Sequence, residues 1–145
     1  RTALALGASW DEYFRMLAGS SCVSADAGHS VNPNYPEYYE PCHYPVAGGG
    51  PVVKLNANQR YASDGPGQAL WLRACRRAGQ PTQEFVSNNA VPCGSTIGPS
   101  TATRLGIDTV DVGVPLLSMH SVREVSHLRD SWALAAILRG YWELD

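Results

Sequence analysis

The stretch TVDVGV (109–114) is a short run of small and β-branched residues, which predicts a strand buried inside a sheet. Pro115 follows it directly, and the chain then reads PLLSMHSVRE (115–124). We therefore expect the strand to end at Val114, turn at Pro115 and present His120 close to its end. Because ligands in open α/β sheets bind at the carboxyl ends of strands, His120 is a candidate functional residue.

The rest of the chain alternates between helix and strand patterns. Ser9 and Glu12 form a capping box that predicts a helix over 10–18, and the Pro-, Asn-, Tyr- and Gly-rich stretch 28–50 is predicted to be a loop. Further strands are predicted at 21–26, 50–56 and 83–89. Further helices are predicted at 68–79, with a cap at Ser63 or Asp64, and at 98–106. A last helix is predicted at 131–144, with a cap at Asp130 and one shared face formed by Trp132, Ala136, Ile137 and Tyr141. This alternation predicts an α/β fold with a mixed, largely parallel sheet.

Size and charge limit the function classes. The 145 residues, 44% of them hydrophobic, suffice for one domain over 1–145. The 11 basic and 13 acidic side chains give no electrostatic basis for binding nucleic acid or an anionic membrane, and no apolar run approaches the roughly 18 residues of a spanning helix. The four cysteines contain no C-x-x-C pair, so we expect reduced thiols in a soluble, cytoplasmic protein.

The first residues suggest that the chain continues a longer one. It opens on Arg1 without a methionine, and RTALALG (1–7) predicts the last turns of a helix closed by Gly7. We therefore expect this chain to be the downstream part of a longer protein.

Three polar residues are expected at or near strand ends, namely Asp26, Lys54 and His120. Carboxylate and imidazole suit zinc or cobalt, which activate water, although an Asp after a strand can equally cap a turn and a lone His can simply pack. Lys54 is the only lysine, against ten arginines. Alternation along its strand can direct it to solvent or into a cleft, where it would bind a carboxylate.

The segment PCGSTIGP (92–99) is a further candidate. It lies between a predicted strand and a predicted helix, and its small residues expose backbone amides that can bind an anion or a carbonyl oxygen. Gly94 and Thr96 are therefore candidate substrate-binding residues.

Four stretches together resemble the C-terminal part of the aspartyl aminopeptidases, in the same order and spacing. They are SADAGHSVNPNY (24–35), GPVVKLNANQRYAS (50–63), PCGSTIGP (92–99) and MHSVRE (119–124). The resemblance implies a portion of a three-layer α/β/α catalytic domain of a dinuclear zinc exopeptidase. Such enzymes remove N-terminal Asp or Glu from peptides and assemble into dodecamers.

The resemblance also implies roles for individual residues. Asp26 and His120 match the positions of zinc ligands, one for each of two ions. Lys54 matches a lysine in the pocket for the acidic side chain, and Tyr61 matches a tyrosine that holds the reacting carbonyl. His29 matches the active-site histidine position after the Asp ligand.

This sequence departs from the family pattern beside Asp26. The family usually has Met-Ala-His there and His-Pro-Asn shortly afterwards, whereas this chain has Ala27, Gly28 and His29, and then NPN (32–34). These smaller residues leave open a dinuclear aminopeptidase of broader specificity.

The remaining parts of the family pattern are expected before Arg1. They are a His-Thr-Asp ligand stretch, a bridging aspartate, a Glu-Glu pair with the general base, and a dimerisation domain. This chain would supply two of about five ligands and no general base, so the missing N-terminal half is an expected partner. The alternative is a truncated, non-catalytic homologue that binds a partner protein.

Overall fold

The fold is a five-stranded sheet with helices on its two faces. The computed structural model describes residues 1–144. The strands among those residues are β1 (Ser21–His29), β2 (Val52–Leu55), β3 (Gln83–Val86), β4 (Asp108–Leu117) and β5 (Val125–Ser126). The α-helices are α1 (Thr2–Ala5), α2 (Trp10–Ala18), α3 (Gly65–Ala78), α4 (Gly98–Leu105) and α5 (Leu128–Trp142), and a short 3-10 turn covers Pro36–Tyr38.

The strands follow the order β1-β4-β2-β3, with β5 pairing β4. The β1–β4 and β2–β3 pairs are parallel, whereas β4 is antiparallel to both β2 and β5. The predicted α/β class with a mixed, largely parallel sheet is therefore confirmed. In the β1–β4 register, Asp26 lies opposite Gly113.

The two faces of the sheet differ because side chains alternate along β4. Val110 and Val112 pack with Trp71 of α3 and Ile137 of α5 in the main apolar core. Asp111 lies on the opposite face, where the first residue of α4 contacts its carboxylate. Helices therefore cover both faces.

The predicted caps of α2 and α3 agree with the structure. Ser9 and Glu12 form the reciprocal capping box, and α2 begins at Trp10. Asp64 caps α3 by accepting a hydrogen bond from the Gly67 N–H at 2.8 Å, and the helix ends at Gly79 in the left-handed conformation.

The predicted ends of β1 and β4 were wrong. β1 does not end at Asp26 but continues to His29, because Ala27–His29 pair with the next residues of β4. β4 does not turn at Pro115 but runs on to Leu117. Pro115 lies where the antiparallel partner of β4 changes from β2 to β5, and neither pairing involves this proline.

The predicted start of α5 was also wrong. Its N-cap is His127, whose Nδ1 accepts from the Arg129 N–H at 3.2 Å. Asp130 is instead buried and accepts the backbone N–H groups of Gly48 and Gly50 at 2.7 and 2.9 Å. The expected shared face was wrong as well, since Trp132 is 71% exposed while Ile137 is fully buried.

Within residues 1–144, none of the helices is both long enough and apolar enough to cross a lipid bilayer.

Candidate functional site

A cavity of about 320 Å³ lies on the Asp111 face of the sheet. Its walls include all seven residues that the sequence singled out: Asp26, His29, Lys54, Tyr61, Gly94, Thr96 and His120. These residues span almost a hundred positions of the chain, so the fold assembles them from separate segments.

Lys54 is buried in the wall of this cavity, with 3% of its surface exposed. Strand alternation places its neighbour Val53 in the apolar core and Lys54 on the cavity face, so the solvent-facing interpretation is wrong. Its Nζ donates to Oδ1 of Asp26, which is half-exposed, and lies 5.6 Å from the centre of the Tyr61 ring.

Gly28 packs closely against the Val52 side chain of β2. A Cβ atom at this position would come within 2.5 Å of Val52 Cγ2 and 3.9 Å of Lys54 Cε. The glycine that departs from the family pattern is therefore packed directly against the strand that carries Lys54.

Tyr61 follows β2 after a turn in which Gln59 adopts a positive φ of 54°. Its ring is buried and meets Phe85 edge to face at 6.3 Å. Burial raises the pKa of Tyr61, and contact with Cys93 and the negative charges of Asp26 and Asp111 raise it further. The phenol therefore stays protonated at neutral pH and can donate a hydrogen bond.

His29 ends β1, with its ring 6.0 Å from that of Phe85. Burial lowers the pKa of His29, and the positive charges of His120 and Lys54 lower it further. A neutral imidazole has one nitrogen free to accept a proton or a hydrogen bond.

His120 lies in the loop after β4, with an exposed side chain. Its backbone has a positive φ of 69°, and Ser118 has one of 58°. Such conformations are uncommon for residues with side chains and cluster at functional sites. The His120 N–H donates to Oε1 of Glu124 at 2.5 Å, which closes the loop on itself.

The donor set fits zinc in chemistry but is incomplete within this chain. Asp26 and His120 provide the oxygen and nitrogen donors that zinc accepts. Across residues 1–144, however, no three or more His, Cys, Asp or Glu side chains are grouped so that they could hold a metal ion.

The loop with Gly94 and Thr96 is tied to the segment that leads into Tyr61. Ser95 Oγ donates to the Arg60 carbonyl at 3.0 Å, and Arg60 Nε donates to the Cys93 carbonyl at 3.1 Å. The Thr96 hydroxyl is buried and has no hydrogen-bond partner among the described residues.

The sequence interpretation missed several residues around the cavity. Tyr38, Tyr39 and Phe85 line it, and Asp111 lies behind the segment after Tyr61 with its carboxylate fully buried. The sequence signal for Asp111 was an aspartate inside the apolar run TVDVGV, because a charged side chain is rarely fully buried unless it is paired.

The chain is similar to known aminopeptidases along nearly its whole length. The family described as aminopeptidase I zinc metalloprotease (M18) matches residues 1–142. A probable M18 family aminopeptidase 2 of Streptomyces avermitilis is 51% identical over 143 residues, which cover 99% of this chain and 33% of that protein. One from Mycobacterium tuberculosis is 45% identical over 141 residues, which cover 97% and 33%.

Solved structures agree with this likeness. A chain in the cryo-EM structure of the Ape4 and Nbr1 complex is 38% identical, with a TM-score of 0.87 over 95% of this chain and 27% of that chain. The mApe1 dodecamer of S. cerevisiae is 35% identical, with a TM-score of 0.79 over 90% and 28%. The present chain thus spans about a third of the length of the curated relatives it matches. It belongs to the M18 family of zinc metalloproteases, the family of aminopeptidase I.

Proposed function

We propose that this chain forms one part of the active site of a zinc aminopeptidase that removes N-terminal Asp or Glu from peptides. The observation that carries this proposal is a buried lysine, Lys54, in the wall of a cavity shared with Asp26, Tyr61 and His120. A buried ammonium group that is largely shielded from water favours the binding of a negatively charged substrate group.

Lys54 has the hydrogen-bonding capacity for this role. An ammonium group has three N–H donors, and one of them is directed to Asp26. The others are available to the carboxylate of an acidic side chain. Because the neighbouring Tyr61 and Phe85 rings exclude water, a charge-assisted hydrogen bond there is stronger than one at the surface.

Asp26 and His120 would hold zinc, one ligand for each of two ions, together with ligands from outside this chain. When bound, zinc supplies a water of lowered pKa and polarises the scissile carbonyl. Tyr61 would donate its O–H to the oxygen on which negative charge develops, a contribution of about 10²–10³ in kcat for comparable donors. The amides around Gly94 and Thr96 would bind the peptide backbone, and the neutral His29 would accept a hydrogen bond from the substrate.

The general base and the remaining ligands would come from another part of the protein. Two observations support this proposal. The set of metal donors among the described residues is incomplete, and the chain spans only about a third of the length of its relatives. By analogy with the S. cerevisiae dodecamer, we infer a homo-oligomer. We place it in the cytoplasm, because Cys22, Cys42, Cys75 and Cys93 are free thiols, as is usual in a reducing compartment.

The test is the composition and activity of the native protein. Intact mass, zinc content and hydrolysis of Asp- and Leu-p-nitroanilide are measured on one preparation. We expect the mass of a longer or companion polypeptide, about two zinc ions per active site, and faster hydrolysis of the Asp substrate. A metal-free, inactive 15.6 kDa species would contradict the proposal.

A non-catalytic, partner-binding homologue is the second candidate. It is favoured by α2, whose Trp10 and Phe14 are 62% and 59% exposed and form an apolar stripe. The inactive 15.6 kDa species of the same experiment is the outcome that this candidate predicts. A third candidate, a broader dinuclear aminopeptidase, predicts zinc and equal rates on the Asp and Leu substrates.

A further inference from the structure

Asp111 is a fully buried carboxylate in the middle of β4, behind two walls of the candidate cavity. Val110 and Val112 on either side of it face the apolar core, so the strand pattern alone gives no reason for a charge at this position. Burying a carboxylate is unfavourable unless its oxygens accept hydrogen bonds. Oδ2 of Asp111 accepts one, whereas Oδ1 has no hydrogen-bond partner among the described residues.

One set of contacts fixes the segment that follows Tyr61. Asp111 Oδ2 accepts the Ala62 N–H at 2.6 Å, and the Asp111 N–H donates to Ser63 Oγ at 3.0 Å. The Ser63 hydroxyl in turn donates to the Asp111 carbonyl oxygen at 3.3 Å. Three hydrogen bonds to one strand residue therefore hold the two residues directly after Tyr61.

A second contact is with the start of α4, which follows the Gly94–Thr96 loop. Gly98 is buried, and a Cβ atom there would come within 2.2 Å of Asp111 Oδ2. The backbone of this helix terminus therefore lies directly against the carboxylate. The partial positive charge of a helix N-terminus favours a negative charge at this place.

We propose that Asp111 is a positioning residue, which sets the spacing between the Tyr61 wall and the Gly94–Thr96 wall of the cavity. It touches neither substrate nor metal. It acts on Tyr61 through Ala62 and on the loop through Gly98. Its effect on catalysis rests on the function proposed above, whereas its effect on the two walls does not.

The kinetic test uses Asp111→Ala and Asp111→Asn in the complete, native enzyme, with Asp-p-nitroanilide as substrate. We expect Asp111→Ala to lower kcat about 10- to 100-fold with little change in KM, because misplacement of a catalytic group mainly affects the transition state. Asp111→Asn keeps an oxygen for the Ala62 N–H and should restore most of kcat. In a Tyr61→Phe background, Asp111→Ala should lower kcat little further, since both changes remove the same contribution.

Asp130→Ala is the matched control. Asp130 is an equally buried carboxylate that accepts two backbone N–H groups, but its partners Gly48 and Gly50 are not next to any residue that lines the cavity. We expect it to lower stability without lowering kcat. An equal fall in kcat for both alanine variants would mean that Asp111 is structural only, and so would additive effects of Asp111→Ala and Tyr61→Phe.

Hydrogen exchange followed by mass spectrometry tests the geometry without activity. In Asp111→Ala, peptides covering 60–63 and 94–100 should exchange faster than in the wild type, whereas Asp130→Ala should affect 46–50 instead. Unchanged exchange in the first two segments would overturn the positioning role even in an active enzyme. A wild type without aminopeptidase activity would instead overturn the proposed function, and the exchange data would still decide the role of Asp111.

Discussion

The two faces of the sheet are built from the same strands but serve different purposes. On one face, Val53, Val110 and Val112 pack against α3 and α5 in an apolar core. On the other face, their immediate neighbours Lys54 and Asp111 are buried charges that surround or support a cavity. Adjacent residues of one strand therefore contribute either to the apolar core or to the cavity. Substitutions on the core face should mainly lower stability, whereas those on the cavity face should mainly change activity.

The largest effect is expected on the apolar face. Trp71 is fully buried between the sheet and α5, and Trp71→Ala should lower the free energy of unfolding by about 3–5 kcal/mol, because it removes a large side chain and leaves a cavity. Denaturant unfolding of the native protein measures this. Trp132→Ala is the control, since Trp132 is exposed and its loss should cost much less. Equal losses in the two variants would place the core elsewhere.

On the cavity face, Lys54→Met should change specificity rather than stability. Methionine keeps much of the volume, and the remaining Asp26 is half-exposed and can be solvated by water. The preference for Asp- over Leu-p-nitroanilide in kcat/KM should fall about 10- to 100-fold, as expected for one lost charged hydrogen bond. A preference that survives this change would remove Lys54 from the proposed acidic pocket.

Gly28 lies at a tightly packed place on the cavity face. Gly28→Ala should destabilise the protein by about 1–3 kcal/mol, because the new Cβ would come within 2.5 Å of the buried Val52 side chain. Gly65→Ala is a suitable control, since a Cβ at the start of α3 meets nothing within 4 Å. Thermal unfolding of both variants makes the comparison. An unchanged melting temperature for Gly28→Ala would show that β2 shifts without cost.

The smallest effect is expected in the loop beside the cavity face. His43 Nδ1 lies 2.6 Å from Glu40 and its Nε2 lies 3.1 Å from Glu84 of β3, and these carboxylates, Glu40 first, raise the pKa of His43. The hydrogen bond from His43 lowers the pKa of Glu40, so Glu40 stays ionised in the same pH range.

Because the folded-state pKa of His43 is above its ordinary value of 6.5, its stabilising contribution is complete below that value and is lost as the pH rises through the raised pKa. The stability difference between wild type and His43→Gln should therefore be larger at about pH 5.5 than at about pH 8.5. Denaturant unfolding at both pH values tests this sign. The opposite trend would contradict the ion pair.

The starts of α2 and α3 could be predicted from the sequence because helix-cap signals are local. The alternation of helix and strand patterns likewise predicted the α/β class. A Ser or Asp side chain caps a helix through contacts within a few residues, as Ser9 and Asp64 do. The end of β1 could not be predicted in this way, because it depends on pairing with β4, far away in the chain. Asp130 illustrates the same limit, since it has the local pattern of a cap but binds the distant Gly48 and Gly50.

The residues of the candidate site also differ in whether the sequence could identify them. Positions near strand ends identified Asp26, Lys54 and His120, and the resemblance to a family added His29 and Tyr61. The fold brings these residues to one cavity, while their catalytic roles stay predictions. Asp111 was missed because the run around it was interpreted as an apolar strand. Its contacts with Ala62 and Gly98 depend on how distant segments pack, which a one-dimensional pattern does not contain.

The parallel pairing of β1 with β4 also has a consequence during synthesis on the ribosome. Ser21 pairs with Asp108, which is 87 positions later in the chain (108 − 21 = 87). At translation rates of about 5–20 residues per second, roughly 4 to 17 seconds pass between the synthesis of Ser21 and that of Asp108. During this time the edge of β1 that pairs with β4 is unpaired. The nascent chain is therefore most exposed to aggregation and to chaperone binding in this interval, and the cavity cannot form until His120, the last residue that lines it, has emerged.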